Sequence, residues 1–536
     1  MTRLSTTITI SSLALLATLS LISLFSNNLR TLFGMSADCL SGEATDVALR
    51  PPRTPARDPR KTMRDFSAEV ADAPPGPATR SFEALVPNTM TPTARDALST
   101  FAIDVDTASY SYARRMLLTR HRRPEPASVR VEEWVNAFSY GLRPPRSAPF
   151  AVTVDGATSP FDETKTLLRV ALKGREVAAA DRKPADLVFL VDVSGSMDRP
   201  DRLPLARQAL KVLTSQLKAS DTVALVTYAG STEVVLEPTS AAKQAVILSA
   251  IDRLRAGGGT AMGSGMELAY GLAVRSVRPG RTSRVLVLTD GDANIGRNQT
   301  ADQMLAAVRH HVEEGVTLTT VGFGMGNYRA AALEALADKG NGQALYIDGE
   351  QEIRRVFVDQ LTGTLEVIAK DVKVQVAFDP QVVTSYRLVG YENRALADED
   401  FRNDRVDAGE LGAGHSVTAL YEVTLSSASG ALGTVSVRGK LPDGDQVFEV
   451  TEAMPRQAVS RQLAEGSSDL RFAAAVALAA DHLRGNIAEA WSLAAIARLA
   501  EGAVDERADR EEFVRMLRAA EGGSTRFAHV DDAAAY

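Results

Sequence analysis

Three short stretches of this 536-residue chain concentrate oxygen donors in a pattern suited to a hard cation. The first is Asp192-Val193-Ser194-Gly195-Ser196-Met197, the second Gly257-Gly258-Gly259-Thr260, and the third Thr289-Asp290-Gly291-Asp292. Asp192 and Asp290 offer carboxylates, while Ser194, Ser196 and Thr260 offer hydroxyls. An oxygen-only set of this kind suits Mg²⁺, which takes near-octahedral geometry and keeps part of its water shell. Mn²⁺ or Ca²⁺ would also be accepted, because oxygen donors alone discriminate weakly. Gly195 allows the tight turn that points both serines inward, and the glycines at 257–259 allow backbone to come close to an ion.

These stretches meet only if the fold brings them to one edge. The segment ADLVFLVDV (185–193) is an almost wholly apolar strand that runs into the first stretch, and the strand at 284–288 runs into the third. Between 185 and 363 strands and helices alternate: helix 203–217, strand 222–228, short edge strand 233–236, helix 241–254 and helix 263–277. After strand 284–288 follow helix 301–314, strand 317–322, helix 329–339, strand 344–347 and helix 352–361. Apolar strands separated by helices of this length predict an α/β, doubly wound, mostly parallel sheet covered on both faces. In such a sheet the carboxyl ends of the strands converge on one crevice, where ligands bind.

The ordered motif D-x-S-x-S…T…D resembles the metal-ion-dependent adhesion site of the von Willebrand factor type A family. The resemblance implies a Rossmann-like fold, with Ser194, Ser196 and Thr260 as direct metal ligands and Asp192 and Asp290 acting largely through bound water. It implies a protein partner whose Asp or Glu completes the metal shell. The flanks FAIDVDTASYSYARRML, VRVEEWVNAFSY, DLRFAAAVALAADHLRGN and EEFVRMLRAAE resemble the bacterial YfbK-type proteins, and the likeness covers roughly 95–525. That resemblance implies a lipoprotein or other envelope protein. This chain departs from the pattern at the lipid-attachment cysteine, because Asp38 precedes its single cysteine, Cys39, where a small neutral residue is expected.

Outside the central region the texture differs. Residues 8–25 form an apolar run without a charge, which predicts a signal peptide or membrane anchor over 1–35 and membrane association through it. Translation from Met35 would instead give a cytoplasmic product. Residues 36–95, rich in Pro and charge, read as a linker. A family-specific segment spans 96–180, with a short strand at 101–110 running into helix 110–119 and a second helix at 129–138. Asp104 and Asp106 within it form a D-x-D that suits capping and turn roles better than a metal. The central domain takes 181–365. A third unit, 366–525, reads as antiparallel strands (372–378, 382–389, 417–425, 434–440, 446–451) followed by helices 470–483, 488–500 and 510–519. A tail closes the chain at 526–536.

Composition narrows the function. The net charge of −7 and the lack of a concentrated basic face argue against nucleic-acid binding. One cysteine excludes an intrachain disulfide and Cys-based zinc sites. A phosphatase of the haloacid dehalogenase type needs a second aspartate where Ser194 stands, so proton transfer lacks its agent. There is no G-x-S-x-G and no phosphate-binding P-loop. The reading is therefore a non-enzymatic, metal-dependent protein-binding module exported to or anchored in the cell envelope. The alternative is an intracellular adaptor working with an AAA+ ATPase in assembly or metal insertion.

Overall fold

The computed structural model describes residues 86–146, 148–259, 262–291, 310–312, 314–324, 330–406, 408–442, 444, 446–486 and 491–522. Six strands form the central sheet: β1 (Ala185–Asp192), β2 (Thr222–Tyr228), β3 (Thr232–Ser240), β4 (Thr282–Thr289), β5 (Val316–Phe323) and β6 (Gln343–Ile347). Their order is β3-β2-β1-β4-β5-β6; β3 runs antiparallel to β2, and every other pairing is parallel. β1 is apolar along its whole length because both of its faces are covered. Leu187, Phe189 and Val191 enter one core and Val188 and Leu190 the other. Helices Leu203–Ser215 and Gln244–Asp252 fill the first core with Leu210, Leu213, Ile247 and Ile251. Helix Met262–Ala273 fills the second with Met266, Ala269 and Tyr270. This is the doubly wound sheet that the sequence predicts. Its order reverses between β1 and β4, which opens a crevice at their carboxyl ends.

Some elements differ from the reading of the sequence. The edge strand expected at 233–236 extends to Thr232–Ser240, because an antiparallel partner is available along all of β2. The helix expected at 352–361 breaks into Glu350–Arg354, a π-turn at Arg355–Asp359 and Leu361–Leu365. Most of the helix expected at 301–314 lies outside the described residues, as do 1–85 with the apolar run and Cys39, and the tail. Among the described residues no helix is long and apolar enough to cross a membrane.

The flanking segments build two antiparallel sheets together. One has the order Thr91–Pro92, Val383–Val389, Ser416–Leu425, Thr166–Gly174, Phe150–Thr158. The other runs Ala395–Leu396, Leu98–Ala102, Val367–Phe378, Gly433–Lys440, Val447–Met454, and Gly409–Gly412 also pairs with Val367–Phe378. Phe101, Leu168, Val170, Val374, Val376, Tyr421 and Val435 share one core between them. Leu167, on the opposite face of its strand, packs under a helical layer with Tyr110, Trp134, Phe472, Ile496 and Phe513. The sequence reading separates 96–180 from 366–525; in the fold strands from both segments share the same two sheets. Strands Phe150–Thr158 and Thr166–Gly174 were not anticipated. TLLRVALKG is buried on both faces and lacks the period-two alternation that marks a half-exposed strand.

Candidate metal centre

Asp192 is the last residue of β1 and is fully buried. Its Oδ1 accepts the Ser194 backbone N–H at 2.9 Å, and its Oδ2 accepts the hydroxyls of Thr289 at 3.0 Å and Tyr228 at 3.3 Å. Donors at the ends of three adjacent strands thus fix one carboxylate. Burial raises the Asp192 carboxyl above its ordinary range, and the charge of Asp290 adds to this; the bonds from Ser194 and Thr289 oppose it. Burial, reinforced by Asp192, likewise pushes the Tyr228 phenol well above its ordinary value. Two buried carboxylates that feel each other's charge call for positive charge nearby, and Arg202 supplies part of it to Asp290.

The hydroxyls of Ser194 and Ser196 lie 2.9 Å apart at the start of the turn Gly195–Met197. Two adjacent ligands of an octahedral ion at ~2.1 Å are separated by ~3.0 Å, so this spacing suits a shared Mg²⁺. Ser194 is buried, whereas Gly195 is exposed and Ser196 partly so, which leaves the site open on one side. The glycine stretch packs against this turn. Gly195 N–H donates to the Gly258 carbonyl at 3.1 Å, and Gly257 N–H to that of Val193 at 2.8 Å. Gly258 has φ +85°, and a Cβ there would come within 3.3 Å of the Gly230 nitrogen. The glycines therefore let one loop lie against another. Thr260, next in the chain, lies outside the described residues, as does Asp292.

Asp290 follows β4 directly and is buried. Its Oδ2 is ion-paired with Nη1 of Arg202, which also donates to the Ser196 carbonyl at 2.7 Å. The structure thus gathers Asp192, Ser194, Ser196 and Asp290 at the carboxyl ends of β1 and β4, and adds Thr289, Tyr228 and Arg202. Thr289 was legible as the neighbour of Asp290. Arg202 had no signal, because an arginine in DRPDRLP reads as surface charge.

The D-x-D at 104–106 serves a different end. Asp104 Oδ1 accepts the Asp106 N–H at 2.9 Å, forming a local turn, and Asp106 Oδ1 accepts the N–H of Ala344 on β6 at 2.9 Å. Carboxylate oxygens of Asp104, Asp106 and Glu334 all lie within 4.8 Å of one another. Arg394 supplies the counter-charge, 3.2 Å from Asp104 and Glu334 and 2.9 Å from Asp338. The N-cap of the helix Ala108–Leu118 is Thr107, whose side chain makes no capping bond.

Comparison with known proteins agrees with this division. The model described as "von Willebrand factor type A domain" matches residues 186–360, and "Uncharacterized protein YfbK, C-terminal" matches 363–432 and 425–522. A further model, "von Willebrand factor", matches 77–169. The YfbK protein of Escherichia coli K12 is 37% identical over 473 residues, 83% of this chain and 82% of that protein. The chain belongs to the YfbK family. Its central α/β body is a von Willebrand factor type A domain, a type that mediates protein–protein interactions. A local likeness to the magnesium-chelatase 60 kDa subunit of Rhodobacter capsulatus, 37% over 122 residues, covers 22% of this YfbK-family chain and 21% of that subunit. The solved von Willebrand factor type A protein from Catenulispora acidiphila aligns over 71% of this chain and 91% of its own, at 18% identity and TM-score 0.43.

Proposed function

We propose that this chain is a non-catalytic, metal-dependent protein-binding module of the cell envelope, with Asp192, Ser194, Ser196, Thr260 and Asp290 holding Mg²⁺. The observation that carries the reading is the meeting of Asp192, Ser194, Ser196 and Asp290 from two loops at the switch point of one sheet. A dication bound there supplies an electrophilic centre for an anionic oxygen. The residues of the chain do the rest. Asp192 is oriented by Thr289, Tyr228 and the Ser194 N–H, the two serine hydroxyls lie 2.9 Å apart, and the open side at Gly195 admits the Asp or Glu side chain of a partner. The hydroxyl of Ser194 is bonded to that of Ser196, an arrangement that supports ligation rather than nucleophilic attack. The apolar run at 8–25 supports export or anchoring.

Partner capture by the immobilised full chain, compared in Mg²⁺ and in EDTA, tests this. Capture that is lost in EDTA and in Ser194→Ala, while the melting temperature is kept, is expected. Capture indifferent to both contradicts the proposal. Fractionation with protease access from the periplasmic side tests the location. The local likeness to a magnesium-chelatase subunit is compatible with the second reading, an intracellular adaptor working with an AAA+ ATPase in assembly or metal insertion. Recovery of the chain in the cytosol would support that reading over the envelope one.

A further inference from the structure

Helix Ala330–Lys339 and strand β6 of the central domain meet the flanking segments across a cluster of carboxyls. Asp104 and Asp106 come from the loop before the helix Ala108–Leu118, and Glu133 from the helix Val131–Asn136. Glu334 and, at the rim, Asp338 come from the central domain. Asp104, Asp106 and Glu133 are at most 5% exposed. Oxygens of Asp104, Asp106 and Glu334 all lie within 4.8 Å of one another. Two arginines face these acids. Arg394 is 3.2 Å from Asp104 and Glu334, 2.9 Å from Asp338 and 3.7 Å from Asp106, while Arg130 attracts Glu334. Glu132 adds negative charge behind Glu133, and Glu392 beside it is paired with Arg484 at 3.0 Å.

The hydrogen bonding leaves room for protons. Asp106 Oδ1 accepts the Ala344 N–H of β6 at 2.9 Å, whereas its buried Oδ2 has no hydrogen-bond partner. Nη1 of Arg130 is buried without one as well. Glu133 Oε2 accepts the Ser109 N–H at 2.7 Å. Buried carboxyls this close, facing two guanidiniums, resist full ionisation. Burial raises the carboxyl of Asp106 well above its ordinary value, with repulsion from Asp104 and Asp338 added. Burial does the same to Glu133, reinforced by Glu334 and Asp104. Glu334 is raised by burial too, against the pull of Arg394.

We propose that this joint is a proton-operated clasp: protons retained on Asp106, Glu133 and Glu334 hold helix Ala330–Lys339 and β6 against the flanking body, and their release loosens that contact. The three acids come from both sides of the joint, so separation returns each to water and to its ordinary acidity. Docking therefore takes up protons. The stability linked to them is complete below the ordinary carboxylate range and is lost as pH rises through the raised values. β6 is the edge strand of the central sheet, so it can move without breaking the inner pairings. The inference uses none of the candidate metal donors and stands apart from the metal-binding reading.

Hydrogen–deuterium exchange of the purified full chain, read by mass spectrometry as protection factors against pH, tests this. Asp106→Asn and Glu334→Gln carry the neutral form permanently. Protection of residues 330–347, taken relative to β1, should fall about tenfold in wild type between about pH 5 and about pH 8. Each variant should show a shallower fall, and the two combined almost none. Melting temperatures check folding; if the combined variant does not fold, the single ones decide by the same slope. A ratio that stays constant in wild type overturns the inference, as do variants that keep the wild-type slope. Ca²⁺ that restores protection at the upper pH in wild type but not in Glu334→Gln also overturns it, because the cluster would then hold an ion.

Discussion

Two places in this chain bury carboxylates beside an arginine, and they do opposite things with them. At the joint between the flanking body and the central domain, Arg394 lies among Asp104, Asp106, Glu334 and Asp338, with contacts from 2.9 to 3.7 Å. Those acids come from a loop and from the helix Ala330–Lys339, and among the described residues their side chains are held by backbone N–H groups, Asn393 and Arg394. At the crevice, Asp192 and Asp290 come from adjacent strand ends, two serine hydroxyls stand beside them, and one side is open. The difference separates an acidic cluster bridged by arginine from the site proposed to hold an ion: the crevice adds hydroxyls at the spacing of adjacent octahedral ligands, on loops that end at a switch point.

The largest effect should come from the joint. Replacing Arg394 with leucine leaves four buried or half-buried acids without their shared counter-charge, and should cost about 3–5 kcal/mol in urea unfolding. Mn²⁺ binding by the protein that remains folded should be unchanged. The crevice should answer in the reverse way. Asp192→Asn keeps an acceptor for the Ser194 N–H but removes a charge, so Mn²⁺ affinity should fall by ~100-fold, about 2.7 kcal/mol, with a small change in melting temperature. Asp104→Asn should leave Mn²⁺ affinity alone.

Glu132 sharpens the comparison through pH. Burial, with Glu392 and Asp104 nearby, raises its carboxyl from 4.5 to about 7, while its Oε2 accepts the Tyr391 N–H at 2.9 Å. The folded state therefore takes up a proton here that the unfolded chain releases above its ordinary value. The stability linked to this group is fully present below 4.5 and is lost as pH rises through about 7. Glu132→Gln should flatten that slope in urea titrations between these limits, by ~1–3 kcal/mol across the window. A slope equally steep in the variant would remove Glu132 from the joint's energetics.

The smallest effect belongs to a cap. Ser467 Oγ accepts the Leu470 N–H at 3.1 Å at the head of the helix Ser468–Arg484. Ser467→Ala should cost ~1 kcal/mol by thermal unfolding and leave Mn²⁺ binding untouched.

The central sheet was legible because each of its strands obeys a local rule. ADLVFLVD is buried on both sides, and the helices between strands carry apolar stripes, so periodicity alone gives the architecture. Four of the five candidate donors were legible from their D-x-S-x-S…D pattern after buried strands, and the fold brings them together: Asp192 and Asp290 sit at strand ends, and the serines lie one turn on. Thr260 falls outside the described residues. The flanks were less legible, because their order depends on pairing over long separations. Thr166–Gly174 lies beside Ser416–Leu425, and Leu98–Ala102 beside Val367–Phe378, and nothing local in those segments names the partner. Arg202 was hidden for a related reason. Its meaning comes from Asp290, more than eighty positions away.

Crystals soaked in Mn²⁺ and measured at its absorption edge would test the central claim most directly. The account predicts an anomalous peak within coordination distance of both the Ser194 and Ser196 hydroxyls, absent from Asp192→Asn crystals. A peak among Asp104, Asp106 and Glu334 instead, or none beside the serines at saturating ion, would contradict it.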